Sequence, residues 1–245
     1  MTTQRVLLLT GASRGIGHAT GKVFADNGWR VLTLSRQPFS PRCPWLGGPE
    51  NHIQLDLGNI EHFEPGLAEI RRRLPDGRLD ALINNAGISP KGPNGERLGV
   101  LASGYATWLQ VFNVNLFSTA LLAKGLIDEL AAAQGSIVNV TSIAGTRVHP
   151  YAGAAYAASK AALLTLTREM AAEFAPLGVR TNAISPGEID TAILSPGTAA
   201  FAEREVPMRR LGKPAEVANA IYFLCGEAAS YVNGTELHIN GGQHV

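Results

Sequence analysis

The sequence predicts an α/β fold, a doubly wound parallel sheet of seven strands with helices on both faces. Three observations predict it. Short apolar runs alternate with longer helical stretches along all 245 residues, and that alternation implies parallel βαβ units with right-handed crossovers. The runs are continuously apolar, as in strands that helices cover from both sides. The first run leads directly into a glycine-rich turn, Thr10 to Gly17. No internal repeat or low-complexity tail divides the chain, so residues 1–245 read as one domain.

Strands are expected at 5–10, 30–35, 52–57, 80–85, 135–142, 178–185 and 235–240. The segment 17–28 reads as a helix closed by Gly28, a residue suited to the left-handed position after a helix. Between the second and third strands, 35–51 holds four prolines and two glycines, which forbid the usual crossover helix. A helix is expected over 60–74, weakened by Pro65 and Gly66 and ending in Arg71, Arg72 and Arg73, read as a solvated face. One long helix is expected from about Tyr105 to Ala133 and another over 151–175. A helix over 214–225 carries Pro214 in its first turn, where the missing N–H costs little.

Composition excludes several classes. A net charge of +1, with no basic run longer than three, leaves no footprint for nucleic acid. Cys43 and Cys225 form neither metal-ligand spacing nor a disulfide framework, so no metal is expected and a reduced, cytoplasmic compartment is. The apolar run Val6 to Leu9 is too short for a signal segment, and no later run reaches membrane-spanning length.

Ligands of doubly wound sheets bind at the carboxyl ends of the strands. Glycines at 11, 15 and 17 follow the first strand and open the first helix. They suit close approach of a pyrophosphate, which the free N–H groups of the helix can hold. The second strand ends in Ser35-Arg36 without a carboxylate to bind a ribose 2′-hydroxyl. Arg36 and Arg14 could converge on a 2′-phosphate, so NADP(H) is expected over NAD(H). Tyr156 and Lys160 share a helix face at i and i+4. A nearby ammonium favours phenolate, and the spacing predicts a Tyr156 pKa lowered toward the range of a working acid or base. Ser142 ends the preceding strand and can hold a carbonyl oxygen against the tyrosine. A carrier, an orienting donor, an acid and a tuning charge together describe a hydride-transfer site.

The motifs TGASRGIG (10–17), NNAG (84–87), Asn115 in NVNL, Ser142, YAASK (156–160), NAISPG (182–187) and NGG (240–242) occur in order over nearly the whole chain. In these the sequence resembles the classical short-chain dehydrogenases/reductases. The resemblance implies a Rossmann-type sheet, with Tyr156 as proton donor in reduction or base in oxidation. It implies that Ser142 polarises the substrate oxygen, that Lys160 also holds the nicotinamide ribose, and that Asn115 holds a water linking Lys160 to solvent. It places Gly11, Ser13, Arg14 and Ile16 at the phosphates, Asp56 and Leu57 at the adenine, and Asn85 at the adjoining ribose. Pro186, Gly187, Ile189 and Thr191 would meet the nicotinamide end, where Tyr156 and Lys160 also touch the nucleotide.

The sequence departs from that pattern between Ser142 and Tyr156, where HPYAGAA carries one residue more than expected. A bulged loop that leaves both hydroxyls in place is the reading. The bulge brings His149 and Tyr151 to the site mouth. Tyr151 lacks a lysine at i+4, and His149, with no acid partner in view, reads as loop packing. A turn-rich segment at 89–104 and a lid over about 188–212, with Gly197 and Gly212 as hinges, would shape access. The substrate is expected to be a small carbonyl or alcohol compound. Among relatives, 3-oxoacyl carrier-protein reductases look nearest. They need a basic surface beside the entrance, and the corresponding turn 128–136 carries Asp128 and Glu129 with no Lys or Arg. Carrier-protein reduction therefore ranks second and a non-catalytic NADP(H) sensor third. Apolar helices 105–133 and 151–175 predict pairing with a second copy, in a homodimer or homotetramer.

Overall fold

The computed structural model describes residues 4–39, 47–191, 194–195 and 197–245. Strands β1 (Val6–Thr10), β2 (Arg30–Ser35), β3 (His52–Gln54), β4 (Ala81–Asn84), β5 (Ser136–Val140), β6 (Arg180–Pro186) and β7 (Glu236–Ile239) form one sheet in the order β3-β2-β1-β4-β5-β6-β7. Every pairing is parallel. The order reverses between β1 and β4, which opens a crevice at the carboxyl ends of those strands.

Successive side chains of a strand point to opposite faces. Leu8, Leu32, Leu82 and Ile137 therefore pack under α2 (Phe63–Arg73), α4 (Ser118–Gly125), α5 (Ile127–Ala133) and α6 (Ala154–Phe174). Leu7, Leu9, Ile83 and Val138 face α1 (Gly15–Asp26) and α8 (Pro214–Cys225). A polar chain crosses the first of these cores. Asn84 Nδ2 donates to Asn139 Oδ1 (2.9 Å), Asn139 Nδ2 to Thr167 Oγ1 (2.9 Å), and Thr167 Oγ1 to the Leu163 carbonyl (2.7 Å).

The long helix expected over 105–133 is three helices. After α3 (Tyr105–Phe112), residues Asn113–Phe117 form a wider π-helical turn, and Leu126 leaves helical geometry between α4 and α5. Each break has a packing cause. The wide turn buries Asn115, whose side chain bonds the Ile88 backbone, and Gly125 brings α4 against Leu67.

Among the described residues between β2 and β3 the helical segment is one short turn, Pro49–Asn51. Residues 40–46, Cys43 included, lie outside the described residues. The arginine triplet is not a plain solvated face. Arg73 Nη1 donates to the carbonyls of Glu50 and His52 (both 2.7 Å), while Arg71 Nε bonds Glu129 Oε1 (2.9 Å). Where a crossover helix is missing, arginine forks satisfy the exposed carbonyls. The turn 128–136 ends at the amino end of β5, the sheet end opposite the crevice. Its charge thus does not flank the entrance of its own chain, and the sequence-based ranking loses that support. No helix among the described residues is long and apolar enough to cross a membrane.

Candidate active site

At the end of β1 the chain turns through Gly11 at φ +69°, a region that L side chains rarely adopt. A Cβ on Gly17 would lie 2.2 Å from the Gly11 carbonyl oxygen. The turn can close only with hydrogen at that position. Thr10 completes it: Oγ1 accepts from the backbone N–H of Asn85 and of Ala86, both at 3.0 Å. Asn85 Nδ2 returns to the carbonyls of Thr10 (3.1 Å) and Gly11 (3.0 Å). The amino end of α1 then opens onto a cleft of about 740 Å³.

Gly11, Ser13, Arg14, Ile16, Arg36, Asp56, Leu57 and Asn85 line one end of this cleft. Ser142, Tyr156, Lys160, Pro186, Gly187 and Ile189 line the other, and Thr191 closes back on the turn, its methyl 3.1 Å from where a Cβ on Gly15 would lie. Arg14 and Arg36 are both exposed. Asn115 is the expected site residue set behind the wall. Its Oδ1 accepts from Ile88 N (2.8 Å), and its Nδ2 donates to Ile88 O and Ser159 Oγ (both 3.0 Å). Thr10 and the Val140 carbonyl belong to the same framework and escaped the sequence reading, since neither carries a spacing signal of its own.

Ser142 caps a short turn, Ile143–Gly145, by accepting from Ala144 N (3.2 Å), and its hydroxyl also bonds the Tyr156 hydroxyl. The extra residue in the intervening loop leaves the two hydroxyls together. Lys160 is buried, with Nζ 5.8 Å from the centre of the Tyr156 ring and donating to the Val140 carbonyl at 2.6 Å. Burial holds the Lys160 pKa down to about 8. The expected lowering of the Tyr156 pKa is overturned. Burial pushes the phenol above its ordinary range, the Ser142 hydrogen bond opposes this, and the negative charge of Glu188 adds to it. Taking the phenolate out of water costs more than its neighbours return, and the ammonium is aimed at a carbonyl rather than at the phenol oxygen. The half-buried phenol stays protonated through the neutral range.

A second correction concerns His149. Its Nε2 is hydrogen-bonded to Glu188 Oε1, and both side chains are nearly buried. The acid partner lies on the far side of β6, 39 positions away. Gly212 is a clasp as well as a bend: its N–H donates to the Glu188 carbonyl and its carbonyl accepts from Asp190 N, both at 2.8 Å. In the expected lid, Gly197 precedes helix α7 (Thr198–Glu205), and residues 192, 193 and 196 lie outside the described residues.

The chain is similar to known proteins over nearly its whole length. The family model described as Enoyl-(Acyl carrier protein) reductase matches residues 11–244. Protein FixR of Bradyrhizobium diazoefficiens is 57% identical over 98% of this chain and 87% of its own. The 3-oxoacyl-[acyl-carrier-protein] reductase FabG of Vibrio cholerae is 35% identical over 98% of both chains. The chain belongs to the short-chain dehydrogenases/reductases. Members of this family are oxidoreductases that act on alcohol and carbonyl groups with a nicotinamide nucleotide. A short-chain dehydrogenase/reductase of Brucella ovis, solved in complex with a partially ordered NAD, is 56% identical, covers 97% of this chain and 100% of its own, and superposes with a TM-score of 0.85.

Proposed function

We propose that this short-chain dehydrogenase/reductase is an NADP(H)-dependent oxidoreductase that moves a hydride between nicotinamide and a small carbonyl or alcohol substrate. The observation that carries the reading is the meeting of Ser142, Tyr156 and Lys160 at one end of a cleft whose other end is the glycine turn. The turn suits a dinucleotide, because it brings the amino end of α1, with its free N–H groups, onto the cleft. Gly11, Ser13, Arg14 and Ile16 would hold the phosphates, with Asp56, Leu57 and Asn85 around the adenosine. Pro186, Gly187, Ile189 and Thr191 would hold the nicotinamide end. The nucleotide, when bound, gives or takes the hydride. Ser142 orients the substrate oxygen, Tyr156 gives it a proton in reduction or removes one in oxidation, and Lys160 holds positive charge beside them. Asn115 fixes the Ile88 backbone and would anchor the water through which the proton is restored.

The choice of NADP(H) rests on the end of β2, which has no carboxylate, and on Arg14 and Arg36, which both border the cleft. Residues 188–212 act as the lid of this single domain. The exposed Tyr105, Leu109 and Phe117 support assembly of two or four copies; a monomer by light scattering at micromolar concentration refutes that. The names of the FabG relatives favour a second reading, reduction of an acyl group on carrier protein. A strong preference for the carrier form over the same chain on a small thiol would promote it.

The deciding experiment is reduction of a carbonyl panel by NADPH with Tyr156→Phe as the comparison. Loss of about three powers of ten in kcat/KM with nucleotide binding intact is expected, within the range of acid–base catalysis. If nucleotide binds, nothing is reduced and the variant behaves like the parent, the protein is a nucleotide sensor.

A further inference from the structure

Beside the cleft, next to two of the residues that line it, lies a nearly buried acid–base pair that the reaction as described does not use. Glu188 lies between Gly187 and Ile189, both of which border the cleft, and its side chain is 7% exposed. His149 Nε2 meets its Oε1. Tyr151 N donates to His149 Nδ1 at 3.3 Å, which leaves the ring proton on Nε2, facing the carboxylate. The ring is packed against Tyr151 and Phe201, with centroids 5.9 and 5.8 Å away, so the pair has little room to turn.

An ionised carboxylate out of water is costly unless hydrogen-bonded, and it can accept about four hydrogen bonds. Its charge reaches the Tyr156 hydroxyl on one side and the Lys91 ammonium on the other, and Lys91 is itself bonded to the Tyr151 carbonyl with Arg97 nearby. With cations already present, the position calls for a neutral donor rather than another positive charge. The substrate carbon that reacts would sit against Ser142 and Tyr156, in the cleft that Gly187 and Ile189, the two neighbours of this acceptor, also border.

We infer that Glu188, held by His149, is a specificity-determining residue that accepts a hydrogen bond from a hydroxyl next to the reacting carbon. The substrate class is then a hydroxyketone in reduction and a vicinal diol in oxidation. The inference rests on the oxidoreductase reading above. It disfavours a thioester beside the reacting carbonyl, because that group offers the carboxylate only lone pairs.

The test compares acetoin with butanone, and benzoin with deoxybenzoin, by kcat/KM with NADPH. A hydrogen bond to a charged group is worth roughly 10- to 100-fold, so the parent should favour each hydroxylated partner by at least about tenfold. Glu188→Leu should bring both ratios to within about twofold of unity. His149→Gln keeps an N–H for the carboxylate and should retain the preference, whereas His149→Phe should lose most of it. Nucleotide binding, followed by fluorescence, verifies folding. If Glu188→Leu fails that control, Glu188→Gln replaces it and should lower the ratios at least about threefold. Equal rates on paired ketones, a preference that survives loss of the carboxylate, or a stronger preference for aminoacetone over acetone than for acetoin over butanone overturns the inference while leaving the oxidoreductase reading intact. No turnover of any ketone counts against both.

Discussion

Along the wall beside β1 the cleft takes its shape from backbone: Gly11 in a left-handed turn, Gly17 against a carbonyl, and Thr10 and Asn85 tying the ends. Beyond Tyr156, next to the cleft-lining Gly187 and Ile189, the packing comes from side chains, with His149, Glu188 and Phe201 brought together from three separate segments. The first wall has no room for a single extra carbon. The second is made of interchangeable side chains, which can be changed without altering how the chain turns. A protein family can therefore keep one nucleotide site and vary its substrates.

The largest test of this contrast is Gly17→Ala. Overpacking against rigid backbone lies at the upper end of the usual cost, about 3 kcal/mol. A melting point lower by roughly 10 °C, with nucleotide binding lost, is expected by calorimetry. An alanine variant of parental stability would show that the first wall can yield. The next test lies where the walls meet. Lys160 has its pKa lowered from 10.5 to about 8 in the folded protein. Between those values the unfolded chain holds a proton that the folded chain lacks, so unliganded stability rises with pH across that window. The stability of the parent relative to Lys160→Met should improve by about 2 kcal/mol from about pH 7 to 9.5, read from urea midpoints. A flat difference would mean that the ammonium is well solvated. The smallest effect belongs to an exposed side chain. Arg36→Ala should weaken NADPH binding about tenfold and leave NADH binding unchanged. Equal loss for both nucleotides would remove Arg36 from phosphate recognition.

The sheet was legible because its central strands, β1 above all, are apolar runs, and the glycine turn because spacing reports backbone demands directly. Most residues that line the cleft follow from the same cause, since they sit at or just past strand ends, while Tyr156 and Lys160 enter it from α6. Other features depend on distance in space rather than in sequence. The i, i+4 spacing of Tyr156 and Lys160 says that they are neighbours, but not that Lys160 is buried and Tyr156 partly so, and desolvation decides the direction of the phenol's pKa. Glu188 reads as one acid of a mixed lid until β6 brings it to His149. The breaks in helix 105–133 arise because Asn115 reaches the Ile88 backbone and Leu67 crowds Gly125, contacts that helix propensity cannot report.

Thr167, where the chain of buried amides ends, stands seven positions after Lys160, close to two full turns of the same helix. A cylinder seated by oily contacts alone can creep or rotate a little without much penalty. This one is keyed to the sheet by a hydroxyl that has no water to fall back on, so its rotational setting is singular. The angle at which the Tyr156 phenol enters the cleft is thus indexed from deep inside the molecule, about two turns further along the helix.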